Sequence, residues 1–178
     1  MCELIDLVNE CGSVNPPGLK VKTWWVASED IDVMPSLKTT TGPGDTVTYD
    51  GAIVLKPNKA FKRVDIVSNS GKVMDTLVGA EGAKSYESVV DAIVPKTDPA
   101  QVEFFNCQAN SCPVVLVEDK KGFVRVLGTA SDPAVLESAT IDTGAKTGDV
   151  RGVTFQIKSQ IGIPAPFYEG AIDIDPLT

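Results

Sequence analysis

The chain reads as a mainly β protein of antiparallel strands with one amphipathic helix laid on a sheet. Three observations point there. Short β-branched runs with a period of two recur along the chain, polar loops containing Gly separate them, and the clearest helix start lies at 97–101.

The strand grammar is plainest from 113 to 172. Runs 113–118 and 123–128 flank Asp119-Lys120-Lys121-Gly122, and a polar four-residue loop ending in Gly predicts a hairpin, because Gly supplies positive φ. A third run spans 134–140, the link Thr143-Gly144-Ala145-Lys146-Thr147-Gly148-Asp149 is a long loop, and a fourth run spans 150–158. In that fourth run Val153, Phe155 and Ile157 face one way and Gly152, Thr154, Gln156 and Lys158 the other, as in a strand with one buried face. This third of the chain is expected to form an antiparallel sheet. After it, Pro164 and Pro166 exclude a central strand and leave an edge or an extended arm.

Upstream, Leu4, Val8 and Cys11 have helical spacing with Gly12 as a stop, so 1–12 reads as a short helix or an arm. Ser13-Val14-Asn15-Pro16-Pro17-Gly18 is a connector. Residues 19–27 form a strand with Leu19, Val21, Thr23, Trp25 and Ala27 on one face and Lys20, Lys22, Trp24 and Val26 on the other. Adjacent tryptophans therefore point to opposite faces. Either one of them is exposed and marks an interface, or the strand is covered on both sides.

Residues 28–45 lack periodicity and form a loop long enough to be functional, mobile or ordered by a partner. Strands are expected at 47–55, 61–67 and 72–78. Residues 84–94 are ambiguous, since Tyr86, Val89, Val90 and Ile93 fit the helical template while Val content and Pro95 suit a strand. The helix begins at Asp98 as cap, with Pro99 in the first turn and Gln101 closing a capping box. It carries Val102, Phe105 and Ala109 on one side.

Composition narrows function. The 178 residues suffice for one core without requiring two, and 43% hydrophobic with 22% charged residues is the balance of a folded globular protein. Sixteen Lys and Arg against 24 Asp and Glu leave a net charge of −8, which argues against gripping nucleic acid through its phosphates. The absence of His removes the commonest general base and metal ligand. No apolar run is long enough to span a membrane, and the acidic first twelve residues are unlike a secretion signal. The chain is thus expected to fold in the cytoplasm.

No catalytic set can be assembled. Gly144-Ala145-Lys146-Thr147-Gly148 lacks the spacing of a phosphate-binding loop, and neither the dinucleotide fingerprint nor the nucleophile elbow occurs. Glu29, Asp30 and Asp32 have the ligand types for calcium without the EF-hand order, so a solvated loop is the simpler account. Lys120, Lys121 and Arg125 stand close in sequence, where a hairpin loop carries charge by default. Cys2, Cys11, Cys107 and Cys112 miss common zinc-knuckle spacings. Reduced thiols, a disulfide such as Cys2 with Cys11, and a four-thiolate zinc site remain open, the first being the simplest. No catalytic, cofactor or metal residue is assigned.

Several phrases together resemble the tail tube proteins of double-stranded-DNA bacteriophages. They are Gly18-Leu19-Lys20-Val21-Lys22 with Ala27-Ser28-Glu29-Asp30-Ile31; Leu116-Val117-Glu118-Asp119-Lys120-Lys121-Gly122 with Leu127-Gly128; and Gly144 to Asp149 leading to Gly152-Val153-Thr154-Phe155. The resemblance implies an antiparallel β-barrel or β-sandwich with one flanking α-helix, and it tips 84–94 toward strand. It further implies a non-enzymatic virion protein assembled in the host cytoplasm. Its partners would be copies of itself in stacked rings, other tail or neck proteins, and genomic DNA as passing, non-adhering cargo. In that picture 1–18 is an N-terminal arm, 19–172 a single domain, 173–178 a flexible tail, and the 28–45 loop orders against the next ring. Pro164-Ala165-Pro166 shortens the terminal strand relative to the family pattern, and 28–45 lacks the apolar stripe of an inter-ring hairpin. A head decoration or connector protein shares the same composition. A carbohydrate-binding or adhesin-like sandwich, with Trp24, Trp25 and Tyr168 as sugar platforms, is the alternative of another class.

Overall fold

The computed structural model describes residues 14–40, 42–146, 148–149 and 151–174. The helix or arm expected at 1–12, with Cys2 and Cys11, lies outside the described residues, as do the last four residues of the tail. The strands are β1 (Leu19–Ala27), β2 (Ile31–Val33), β3 (Val54–Leu55), β4 (Lys62–Asp65), β5 (Lys72–Val78) and β6 (Ser85–Pro95). After the helix α1 (Pro99–Gln108) come β7 (Pro113–Asp119), β8 (Val124–Leu127), β9 (Val135–Asp142), β10 (Gly152–Ser159) and β11 (Phe167–Tyr168).

All strand pairings are antiparallel. A central sheet runs β11-β8-β7-β1-β4, an outer sheet runs β5-β6-β10-β9, and β2 pairs with β3. The architecture is an open sandwich with a flanking helix and not a closed barrel.

The central sheet is buried on both faces. On one side Trp25, Val115, Val117 and Leu127 meet Val90, Phe155 and Ile157 of the outer sheet together with Phe105 of α1. On the other, Trp24, Val114, Leu116 and Val126 meet Ile31, Tyr49, Ile53, Phe61 and Tyr168. Both tryptophans are therefore inside, at 6% and 3% exposure, and of the two outcomes open for that strand the covered one holds.

This second core explains residues 28–45. The segment folds back on its own sheet, with a 3-10 turn at Ser28–Asp30, then β2, and Ile31 buried against the central sheet. Lys59 Nζ meets Asp30 Oδ1 at 2.9 Å, and Lys38 Nζ meets Glu169 Oε2 at 2.7 Å.

Four expectations need correction. Residues 47–55 are not one strand: Asp45–Val47 is a 3-10 turn, Leu37–Tyr49 and Thr48–Phe167 are isolated bridges, and only Val54 and Leu55 join a ladder. Gly51, at φ 110°, turns the chain between them. The 113–172 stretch is not one sheet either. Its first hairpin, β7–β8, belongs to the central sheet and its second, β9–β10, to the outer one.

The capping box also fails. Pro99 does open α1, but Asp98 makes no side-chain cap bond, and its carboxylate lies 3.9 Å from Arg151 Nη2. Gln101 Oε1 is buried without a partner. Lastly, the side of α1 that packs is set by Phe104 and Phe105 on Trp25, with edge-to-face centroid distances of 5.3 and 6.4 Å, while Ala109 is exposed.

Other readings agree with the chain as folded. β1 and β5 have the expected bounds, β6 covers 85–94 of the ambiguous stretch as strand, and Gly122 at φ 99° closes the β7–β8 turn. Val153, Phe155 and Ile157 share the buried face of β10. β11 is a two-residue edge strand on β8, as the prolines before it require. The flexible tail expected at 173–178 is corrected at its start: Phe61 N donates to Asp173 O at 2.9 Å and Phe61 bridges Ile174, so residues 173 and 174 are held to the body.

Candidate assembly surface

Both sheets are open, ending in the short strands β11 and β4 in the central one and in the longer strands β5 and β9 in the outer sheet. Its terminal strands, β5 and β9, each pair on one side only among the described residues. An unpaired strand carries a row of backbone N–H and C=O groups ready for another strand. Register identifies the sides. Val73, Asp75 and Leu77 of β5 stand opposite Val90, Ser88 and Tyr86, while Leu136, Ala139 and Ile141 of β9 stand opposite Ile157, Phe155 and Val153. Since Val90, Phe155, Ile157 and Val153 are core residues, those β5 and β9 side chains face the sandwich interior side.

At β9 that side is only partly covered. Val102, Phe105 and Ala109 of α1 and Leu136, Ala139 and Ile141 of β9 line an open groove of about 930 Å³. Glu103 and Glu137 add acidic groups to its lining. Ile141 is 46% exposed there, and on the opposite edge of the sheet Leu77 is 49% exposed. Glu137 falls where the β9–β10 register shifts, a bulge that partly blunts the edge.

The opposite face of the outer sheet is a polar ladder. Asp91 takes Lys72 Nζ at 3.1 Å and Gln156 Nε2 at 2.7 Å, tying β5, β6 and β10. Glu87 takes Lys158 Nζ at 2.7 Å and Gln160 Nε2 at 2.9 Å. These bonds, Lys158 first, hold the Glu87 carboxyl below its ordinary pKa, and the same pairing raises Lys158. Both directions say that the pair stays ionised at neutral pH, so this face is wetted and charge-matched.

Between the sheets one ion pair is better shielded. Asp75 Oδ2 meets Arg125 Nη2 at 2.7 Å, and Asp75 Oδ1 accepts from Ser88 Oγ at 2.6 Å and from Ala165 N at 3.1 Å. Arg125 also lies over the Phe167 ring, 5.1 Å from its centroid. The guanidinium is a strut joining β8, β11 and β5.

The residues singled out by sequence are not gathered into one place. Lys120 bonds Asn69 and Arg125 turns inward, so they do not form a shared basic cluster. Ala145 N and Lys146 N donate to Asp149 Oδ2 at 3.0 and 2.8 Å, so those loop amides are occupied by a carboxylate of the same loop. Asp30 is paired with Lys59, and Lys56 Nζ donates to Glu29 O at 2.6 Å. Among the described residues no group of three or more Cys, Asp or Glu could hold a metal, and no helix is long and apolar enough to cross a membrane. Cys107 and Cys112 are free and exposed.

Trp24, Trp25 and Tyr168, the sugar platforms of the adhesin-like alternative, are all buried. Tyr168 OH is committed to bonds from Ile53 N at 3.0 Å and to Ala171 O at 2.7 Å.

Sequence reasoning missed β5 and β9 as the exposed edges. The mixed polarity of Val135-Leu136-Glu137-Ser138-Ala139-Thr140-Ile141-Asp142, beside the unbroken Pro113-Val114-Val115-Leu116-Val117, was the available signal. Comparison with known proteins finds no matching family model, no matching curated protein and no matching solved structure.

Proposed function

We propose that this chain is a structural subunit of a double-stranded-DNA bacteriophage virion that assembles with copies of itself into rings of the tail tube or neck. The observation that carries this reading is the outer sheet, whose two ends are unpaired edge strands on a body with its core otherwise closed. A head-to-tail contact between unlike edges repeats from copy to copy, and where the rotation closes it forms a ring, which removes those exposed edges. The strands alternate in direction across four positions, so β9 of one copy and β5 of the next would also meet antiparallel.

Charge fits the same reading. Each copy carries a net −8, and a ring multiplies that field. DNA phosphates are repelled by it, so DNA passes with water between and does not adhere. The chain has no histidine with which to build the commonest acid–base sites, and the occupied amides of the 143–149 loop offer no open phosphate cradle in their place. Other tail or neck proteins are then the partners at the ends of a stack, and the virion tail is its location.

Light scattering combined with negative-stain imaging of the purified chain tests this. Ring-sized mass and annular or tubular particles are expected. A monomer under every assembly condition overturns the reading, and single rings that bind capsid or portal in place of stacking replace the tube with a decoration or connector role.

A further inference from the structure

We propose that the open edge of β4 and the groove beside it seat residues 175–178 of the same chain, as a parallel strand that delivers Leu177 into the groove. β4 is a terminal strand of the central sheet and pairs with β1 alone among the described residues. Its backbone groups alternate in direction. Ile66 N donates to Val21 O at 2.7 Å, and Val64 and Lys62 stand opposite Thr23 and Trp25, so residues 62, 64 and 66 turn their amides and carbonyls to β1. Residues 61, 63 and 65 turn theirs to the open side, which is where Phe61 N donates to Asp173 O at 2.9 Å.

That contact sets a direction. Phe61 and Ile174 form a parallel bridge, so the chain leaves Ile174 heading the way β4 runs. Asp175-Pro176-Leu177-Thr178 follow, and in extended form they cover about 13 Å, the span of the four residues of β4. The residue before a proline favours that extended form. In the register of the bridge, the N–H groups of 175 and 177 face the carbonyls of Phe61 and Arg63, while the nitrogen of 176 faces away. Pro176 therefore stands where a missing N–H costs no ladder bond.

Side chains obey the same register. Val64 lies on the side of β4 that packs against the core under α1, and Leu177 alternates onto that side. There Val64, Val94 and Phe104 line an open groove of about 420 Å³. Arg63 and Asp65 at its rim bond each other at 2.6 and 2.7 Å, so no ion pair has to break for the groove to be covered. Seating the segment buries apolar surface and gives partners to the open-side groups of Arg63 and Asp65, which guards this edge against strands of other chains.

Nuclear Overhauser contacts and amide hydrogen exchange, measured on the unassembled full-length chain, test the seat. Contacts between the Leu177 methyls and the Phe104 ring are expected, with the amides of Arg63 and Asp65 protected. Leu177→Asp should speed exchange at those two amides about tenfold, the worth of one hydrogen bond, with Ile66 unchanged as the amide bonded to β1. A stop after Ile174 should do the same, whereas Thr178→Pro, whose nitrogen faces away from β4, should leave exchange as it was. Circular dichroism of all three variants should match that of the unmodified chain.

No contact between Leu177 and Phe104, or equal exchange at Arg63 and Asp65 with and without Leu177→Asp, overturns the inference. Protection that fades on dilution overturns it too, since the segment then comes from another copy. The inference does not rest on the self-assembly reading, which none of these outcomes touches.

Discussion

β7 and β9 are strands of nearly equal length with opposite fates. In β7 every residue from Pro113 to Val117 is buried, because the central sheet has a core on each side. In β9 only Leu136 is even half-buried. A middle strand is held by two neighbours and two cores, whereas an edge strand with a thin cover is held by one neighbour. The difference teaches that position within a sheet, more than the sheet itself, decides burial: β10, in the middle of the outer sheet, places Val153, Phe155 and Ile157 in the core, while β9 at its edge is left exposed.

The largest effect expected from breaking this comparison is at Trp25, whose ring meets Phe104, Phe105 and Phe155. Trp25→Ala should cost about 3–5 kcal/mol in denaturant unfolding. Ile141→Ala, on the edge, should stay within about 0.5 kcal/mol. Equal losses at the two sites would erase the distinction between middle and edge strands.

A smaller effect sharpens it. Thr23 Oγ1 donates to Val64 O at 2.7 Å and accepts from Trp25 Nε1 at 3.0 Å, all within the first core. Thr23→Val keeps the shape and orphans the indole N–H, so a loss of about 1–3 kcal/mol is expected by the same measurement. Thr23→Ser should retain most of that bond and lose less.

The smallest effect concerns the 143–149 loop beside β9. Backbone amides of Ala145 and Lys146 donating to Asp149 hold its carboxyl below the ordinary aspartate value. A lowered carboxylate contributes to loop order above its unfolded value and ceases to as the pH falls through its folded value. Amide shifts of Ala145 and Lys146 should therefore move only in acid, below the ordinary aspartate range, with β7 unchanged. A midpoint at or above that range would contradict the bonding.

Much of the fold was legible because local chemistry fixes it. Alternation in 153–157 placed β10, Gly122 placed the β7–β8 turn, and Pro164 with Pro166 held β11 to an edge. What escaped was set by distant pairing. Whether Trp24 is exposed depends on Ile31, Tyr49 and Ile53 folding over it, and the aperiodic 28–45 segment before them does not announce that. The 47–55 run alternates like a strand, yet Gly51 and the available neighbours leave it as bridges. Edge status was invisible for the same reason. Nothing within β5 or β9 records which strand stands beside it, and only the weaker hydrophobicity of β9 hinted that one side was empty.

Amide hydrogen exchange on the chain before and after assembly tests most directly that the outer sheet is the joining surface. β7 should be protected in both states, while β5 and β9 should exchange quickly in the monomer and slow markedly once assembled. Edge strands already as protected as β7 in the monomer, or unchanged on assembly, would contradict the account.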